Sequence, residues 1–165
     1  MIIKRLQETL DEDQIRLCRK ILKWVTTAKE SLTVNQLTVA VAVRKNHKEI
    51  DEGELFFDPR HDIIAVCAPL MEILSDDTVR IVHLSAKEYL YDPSRGEGGC
   101  PFSLSPASSN ADIGSALLTL LSFDEFAAAN SMDLLDGPDL GAARNKLEAQ
   151  AMLAYGLRNW HLHCI

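Results

Sequence analysis

Apolar positions recur at spacings of three and four in Ile15, Cys18, Ile21, Leu22 and Val25, which places one stripe on a helix over about 12–28. Asp11 and Gln14 have the capping-box form that opens such a helix. A second helix starts soon after, with Thr33 as cap, Gln36 reaching back, and Leu37 and Val41 on its buried side until Arg44-Lys45-Asn46. An acidic loop with Glu49, Asp51, Glu52 and Glu54 follows, then a strand-like Leu55-Phe56-Phe57, and Asp58-Pro59 opens a third short helix over 60–68. Pro69 does not continue that helix comfortably. Leu70–Leu74, the turn Ser75-Asp76-Asp77 and Thr78–Leu84 read as a hairpin, with Val79, Ile81 and His83 on one face and Arg80 and Val82 on the other.

Ser85 to Glu88 has the capping-box form again, so the second hairpin strand is expected to pass directly into a helix that Asp92-Pro93 ends. Three helices and a hairpin in this order are the layout of a winged-helix domain. The fold class expected is therefore mainly α with a small β-hairpin wing, a winged helix followed by a helical extension. The glycines, prolines and serines of 93–110 predict a surface connection. The domains expected are 1–92, the connection 93–110, and an extension over 111–165. In the extension Ile113, Leu117, Leu120 and Leu121 repeat at helical spacing, Ser122–Phe126 leads into a short second piece, and Asp136–Asp139 forms a turn. A last helix over about 142–160 ends in the cluster Trp160-His161-Leu162-His163.

Length and charge narrow the class. A chain of 165 residues with 47% apolar and 25% charged residues can build a core without disulfides or metal. Its formal charge of -7 weighs against general nucleic-acid binding, which rests on Lys and Arg displacing counterions from phosphates. The charge is uneven: residues 1–50 carry ten Lys/Arg against six Asp/Glu, and residues 51–165 carry seven against eighteen. A basic first portion and an acidic remainder point to contacts with neighbouring protein. The start, already charged at Lys4 and Arg5, has no signal-peptide core. Apolar runs such as Leu37–Val43 and Ile63–Met71 fall short of the ~20 residues that span a bilayer. Cys18, Cys67, Cys100 and Cys164 form no CxxC pair, as expected of reduced thiols in a cytoplasmic protein.

Catalytic patterns are missing. No P-loop or GxGxxG occurs, and Gly96-Glu97-Gly98-Gly99 lacks the lysine and the strand-to-helix setting of a phosphate cradle. There is no GxSxG elbow, and Cys67 lies in an apolar run with no evident base. His161, His163 and Cys164 are good zinc ligands but only three, beside Trp160 and Leu162, so a helix end packed on the core is the better reading. No catalytic residue, no metal site and no resident cofactor are expected, and the chain is not expected to be an enzyme. The alternative of a DNA-binding winged helix would use the third helix, whose Arg60 and His61 stand beside Asp58 and Asp62, a poor face for a duplex. From spacing alone, His83 reads as a structural histidine.

Several segments resemble one family. Ile21–Val25 followed by Ala28 and Leu32–Leu37 is similar to the segment after the NACHT ATPase in fungal NOD-like (STAND) proteins, many of which carry ankyrin repeats. Cys67–Met71 resembles a Cys-Gly-Gly-Leu-Leu segment there, and Val79–Leu90 closely resembles its histidine-containing stretch. Ala111–Phe126 and Met152–His163 resemble two later helices of the same proteins. The departures are local: Glu30-Ser31 stands where Arg-Pro is common, Ala68-Pro69 replaces the glycine pair, and Asn110 sits where a histidine is frequent.

The resemblance implies the winged-helix domain of inositol-deacylase-like NACHT proteins: a regulatory, protein-binding module in the cytoplasm between an ATPase and repeats. In such ATPases a histidine of this stretch contacts the ADP phosphate in the closed state, and His83 is the residue that matches it. ADP or ATP would then enter only through a NACHT domain, which this chain lacks. Its partners would be that domain and the repeats, with no membrane and no nucleic acid. On this reading the chain is the regulatory piece of a larger protein.

Overall fold

The computed structural model describes residues 2–45, 47–50, 53, 55–96, 100–123 and 140–164. Helix α1 (Ile2–Thr9) precedes α2 (Glu12–Thr27), α3 (Val34–Ala42) and α4 (Pro59–Cys67). Strands β1 (Met71–Ile73) and β2 (Val79–Ile81) form the hairpin, and α5 (Leu84–Leu90), α6 (Pro93–Gly96), α7 (Pro106–Leu121) and α8 (Leu140–Asn159) follow. A 3₁₀ turn, Trp160–His163, closes the described chain.

The capping signals of the first two predicted helices hold in atomic detail. Asp11 accepts from the Gln14 N–H while Gln14 Oε1 accepts from the Asp11 N–H, and Thr33 and Gln36 repeat the exchange for α3. Each box satisfies two N–H groups that a helix start leaves without partners. At α4, Asp58 accepts from the His61 N–H with Pro59 in the first turn, where its missing N–H costs nothing.

The hairpin is antiparallel, pairing Met71 with Ile81, Glu72 with Arg80 and Ile73 with Val79. Its second strand also pairs with the chain just before α3: the Val79 N–H donates to the Leu32 carbonyl and the Val34 N–H to the Asp77 carbonyl. That third edge pins the wing to the start of α3. At its tip Asp77 has a φ of 65°, a left-handed conformation that Asp tolerates better than most residues. The Ala68–Pro69 peptide, at the turn from α4 into β1, is cis.

One core runs through the molecule. Cys18, Ile21 and Leu22 of α2, Leu37 of α3 and Ile63 of α4 are buried together with Ile113 and Leu117 of α7 and Met152 and Tyr155 of α8. Burying each large side chain stabilises the fold by about 1.5–3 kcal/mol. Helix α8 packs on α3 and α7, so the extension covers the winged helix directly. An ion pair between Lys23 and Asp112 also ties α2 to α7.

Three expectations are corrected, and one helix is added. Residues 55–57 form no strand: no edge pairs with them, Phe56 is half-buried against the core, and Phe57 is fully exposed. The 93–110 span is not a uniformly exposed connection, because Phe102 and Leu104 are buried in the common core and α7 already begins at Pro106 under a Ser105 cap. Ser85 does not cap α5. The Val82 N–H still donates to the Leu70 carbonyl, so the turn falls on His83 and Ser85 becomes the second helical residue. Finally, α1 was not anticipated, although Ile3, Leu6 and Leu10 have helical spacing and Ile3 and Leu6 are buried. The predicted piece at 124–126 and the turn at 136–139 lie outside the described residues.

Candidate functional site

His83 occupies the junction between the wing and α5, in extended conformation at φ −132° and ψ 132°. It stands at the cap position without making a side-chain cap bond, and it is exposed. The ring borders a cleft of about 180 Å³ lined by Ile3 of α1, Pro69 and Leu70 of the cis turn, Val82, and Tyr89 of α5. Leu84 beside it is 73% exposed. An imidazole at the lip of an apolar cleft, on a chain edge held by strand pairing behind it and a helix ahead, can offer one hydrogen bond to a group outside the domain. The side chains with hydroxyl groups in the lining are Ser85 and Tyr89.

The other candidates are placed differently. Arg60 on α4 forms an ion pair with Asp77 of the wing, and His61 Nδ1 lies 3.5 Å from an Asp62 carboxylate oxygen. The exposed side of α4 is completed by Ile64 and Ala65. That surface gives a duplex little cationic charge. Cys67 is buried with its Sγ 3.6 Å from the Sγ of Cys18. The hydrogen bond to Cys18 and then burial push the Cys67 thiol well above its ordinary range, the reverse of what a nucleophilic cysteine requires.

His163 has no nitrogen left for a metal. Its Nδ1 is 3.0 Å from Asn110 Oδ1 and its Nε2 is 3.1 Å from the Tyr155 hydroxyl. Asn110 Nδ2 donates to the Pro106 carbonyl, so Oδ1 is the acceptor that faces the ring and Nδ1 carries the proton. Nε2 therefore accepts from the Tyr155 O–H, whose oxygen in turn accepts from the Lys29 N–H at 3.1 Å. Burial first and the Lys29 charge second depress the His163 pKa to about 4. Burial likewise pushes the Tyr155 phenol up. This relay joins the α2–α3 connection, α7, α8 and the final turn. Reading along the chain missed it, since Lys29, Asn110 and His163 are far apart in sequence; the eight-residue spacing of Tyr155 and His163 is its only local trace. No group of three or more His, Cys, Asp or Glu arranged for a metal occurs among the described residues. Among them, too, no helix is long and apolar enough to cross a membrane.

Three helices, a two-stranded wing whose second strand is bound to the chain ahead of the second of those helices, and a helix springing from the wing define a winged-helix domain. A family model for the winged-helix domain of GPI inositol-deacylase matches residues 7–98, more than half of the chain, and the chain belongs to that family. No curated protein and no solved structure matches it.

Proposed function

We propose that this chain is a non-catalytic regulatory module of a NACHT-type signalling ATPase, in which the winged helix contacts the ATPase and the helical extension leads toward ankyrin-type repeats. His83 is the contact to bound ADP in the closed state. The observation that carries the reading is the position of His83: exposed, at a chain edge braced on both sides, with its imidazole uncommitted to capping α5. The collinear resemblance through Val79–Leu90 supports it. The position of Asp77 beside Arg60 speaks against the DNA-binding alternative, since it sets a negative charge next to the cation that α4 would present to phosphates.

A hydrogen bond from an imidazole to a charged phosphate contributes about 1.5–3 kcal/mol. At about 1.4 kcal/mol per factor of ten, that is a ten- to hundredfold bias toward the closed state, enough for a latch and too little to hold nucleotide without the ATPase. The test is release of a fluorescent ADP analogue from a protein in which this chain follows its P-loop ATPase. His83→Ala is expected to speed release by ten- to hundredfold. Release at the unchanged rate would remove the latch.

A further inference from the structure

We propose that the Tyr155–His163–Asn110 relay is a proton-operated catch that holds the final turn and the end of α8 against the winged helix, and that it opens when His163 takes up a second proton. The proposal concerns residues beyond the 7–98 match and is independent of the nucleotide reading.

Donor arithmetic makes the relay sensitive to one proton. In the neutral ring every position is used once: Nδ1–H donates to Asn110, and Nε2 accepts from Tyr155. A proton on Nε2 places two donors face to face across 3.1 Å. The Tyr155 hydroxyl would have to turn its own hydrogen elsewhere, yet its oxygen already accepts from the Lys29 N–H and the side chain is 1% exposed. A buried donor left without an acceptor costs about 1–3 kcal/mol.

The surrounding charges add to this. From the α2–α3 connection the Lys29 ammonium donates to the same Asn110 Oδ1 that faces the ring, so an imidazolium there would meet a like charge. Glu30 of that connection is occupied by Arg158 and Asn159 of α8. On α7, Asp112 is paired with Lys23 of α2. The turn itself contributes the exposed His161 and is followed by the exposed Cys164. No carboxylate among these is free to compensate a charge on His163.

The seat under the catch is equally specific. A Cβ at Gly114 of α7 would stand 3.4 Å from the His163 carbonyl oxygen and 3.5 Å from both the His163 Cβ and the Cys164 Sγ. The turn is therefore in close contact with α7, and in the open state that contact is lost. With the ring at about 4 when seated and at the ordinary 6.5 when released, opening grows as pH falls from 6.5 and levels off below about 4. The gain across that window is on the order of a hundredfold.

Two measurements on the full chain test this: NMR titration of the His163 ring, and amide exchange over residues 150–164 corrected for intrinsic rates. The expected result is a ring titrating near 4 and exchange protection of the segment that falls on the order of a hundredfold between pH 6.5 and 4. His163→Gln, which cannot titrate, should abolish the pH step. Tyr155→Phe, a smaller perturbation that keeps the ring and removes the donor to Nε2, should move the titration midpoint upward. A ring titrating near 6.5 in the folded protein, protection that is flat across the window, a step that persists in His163→Gln, or an unmoved midpoint in Tyr155→Phe would each overturn the catch.

Discussion

The side-chain amide of Gln36 bridges to the backbone of Ala151: its Nε2 donates to the Ala151 carbonyl at 3.1 Å while its Oε1 accepts from the Thr33 N–H at 2.9 Å. One residue thus caps α3 and fastens α8 to it. Glutamate serves a capping box as well as glutamine does, but here it would set a carboxylate against a carbonyl oxygen. Gln36→Glu is expected to lower stability by about 1 kcal/mol, as read from the midpoint of urea unfolding. A stabilised or unchanged protein would mean that the bond to Ala151 contributes nothing.

Two hydroxyls with the same sequence signature should behave differently. Thr33 caps α3, so Thr33→Ala is expected to cost about 1 kcal/mol. Ser85 is followed by Glu88 in the same pattern but lies inside α5, behind His83. Ser85→Ala should change stability by less than about 0.5 kcal/mol. Equal losses in the two variants would place the start of α5 two residues later.

The wing tip depends on backbone shape more than on charge. The ion pair between Arg60 and Asp77 is half exposed, and such pairs contribute about 0–1 kcal/mol. Asp77→Asn, which keeps the tolerance for a φ of 65°, should therefore be nearly neutral in thermal unfolding. Asp77→Val forces a β-branched residue into that conformation and should cost about 1–2 kcal/mol or more.

The four thiols should separate by accessibility. Cys164 is exposed and Cys100 is partly so, while Cys18 and Cys67 are buried and share a hydrogen bond. Ellman's reagent at neutral pH is expected to label Cys164 fast and Cys100 more slowly. Cys18 and Cys67 should react only after unfolding, since both are buried, and burial and the shared bond also disfavour the Cys67 thiolate. Labelling of Cys67 in the folded protein would remove it from the core.

The elements of the winged helix were legible because their signals act over three or four residues. Asp11 with Gln14 and Thr33 with Gln36 are caps that any chain with those spacings can form, and the alternation Val79, Arg80, Ile81 suits a hairpin with one face inward. Ser85 shows the limit of the same rule. Whether it caps depends on where strand pairing ends, and that is set by the bond from the Val82 N–H to the Leu70 carbonyl across the hairpin. His83 was singled out through a resemblance to a family segment. Its exposure at the lip of a cleft walled by Ile3 and Pro69 follows from α1 and the turn before β1, neither of which lies next to it in the chain.

The sequence by itself determined α2 and α3 with their caps, the hairpin and the absence of a phosphate-binding loop, since hydrophobic period and capping chemistry are local. Tertiary structure alone decided the fate of polar groups and aromatics that could go either way. Phe102 is buried and Phe57 exposed; Arg60 is neutralised by Asp77; His163 is sealed between Tyr155 and Asn110 while His83 faces outward. The physical reason is that burying a polar group costs free energy unless partners arrive with the right geometry. Those partners, such as Lys29 for Tyr155, come from segments that only the folded chain brings together.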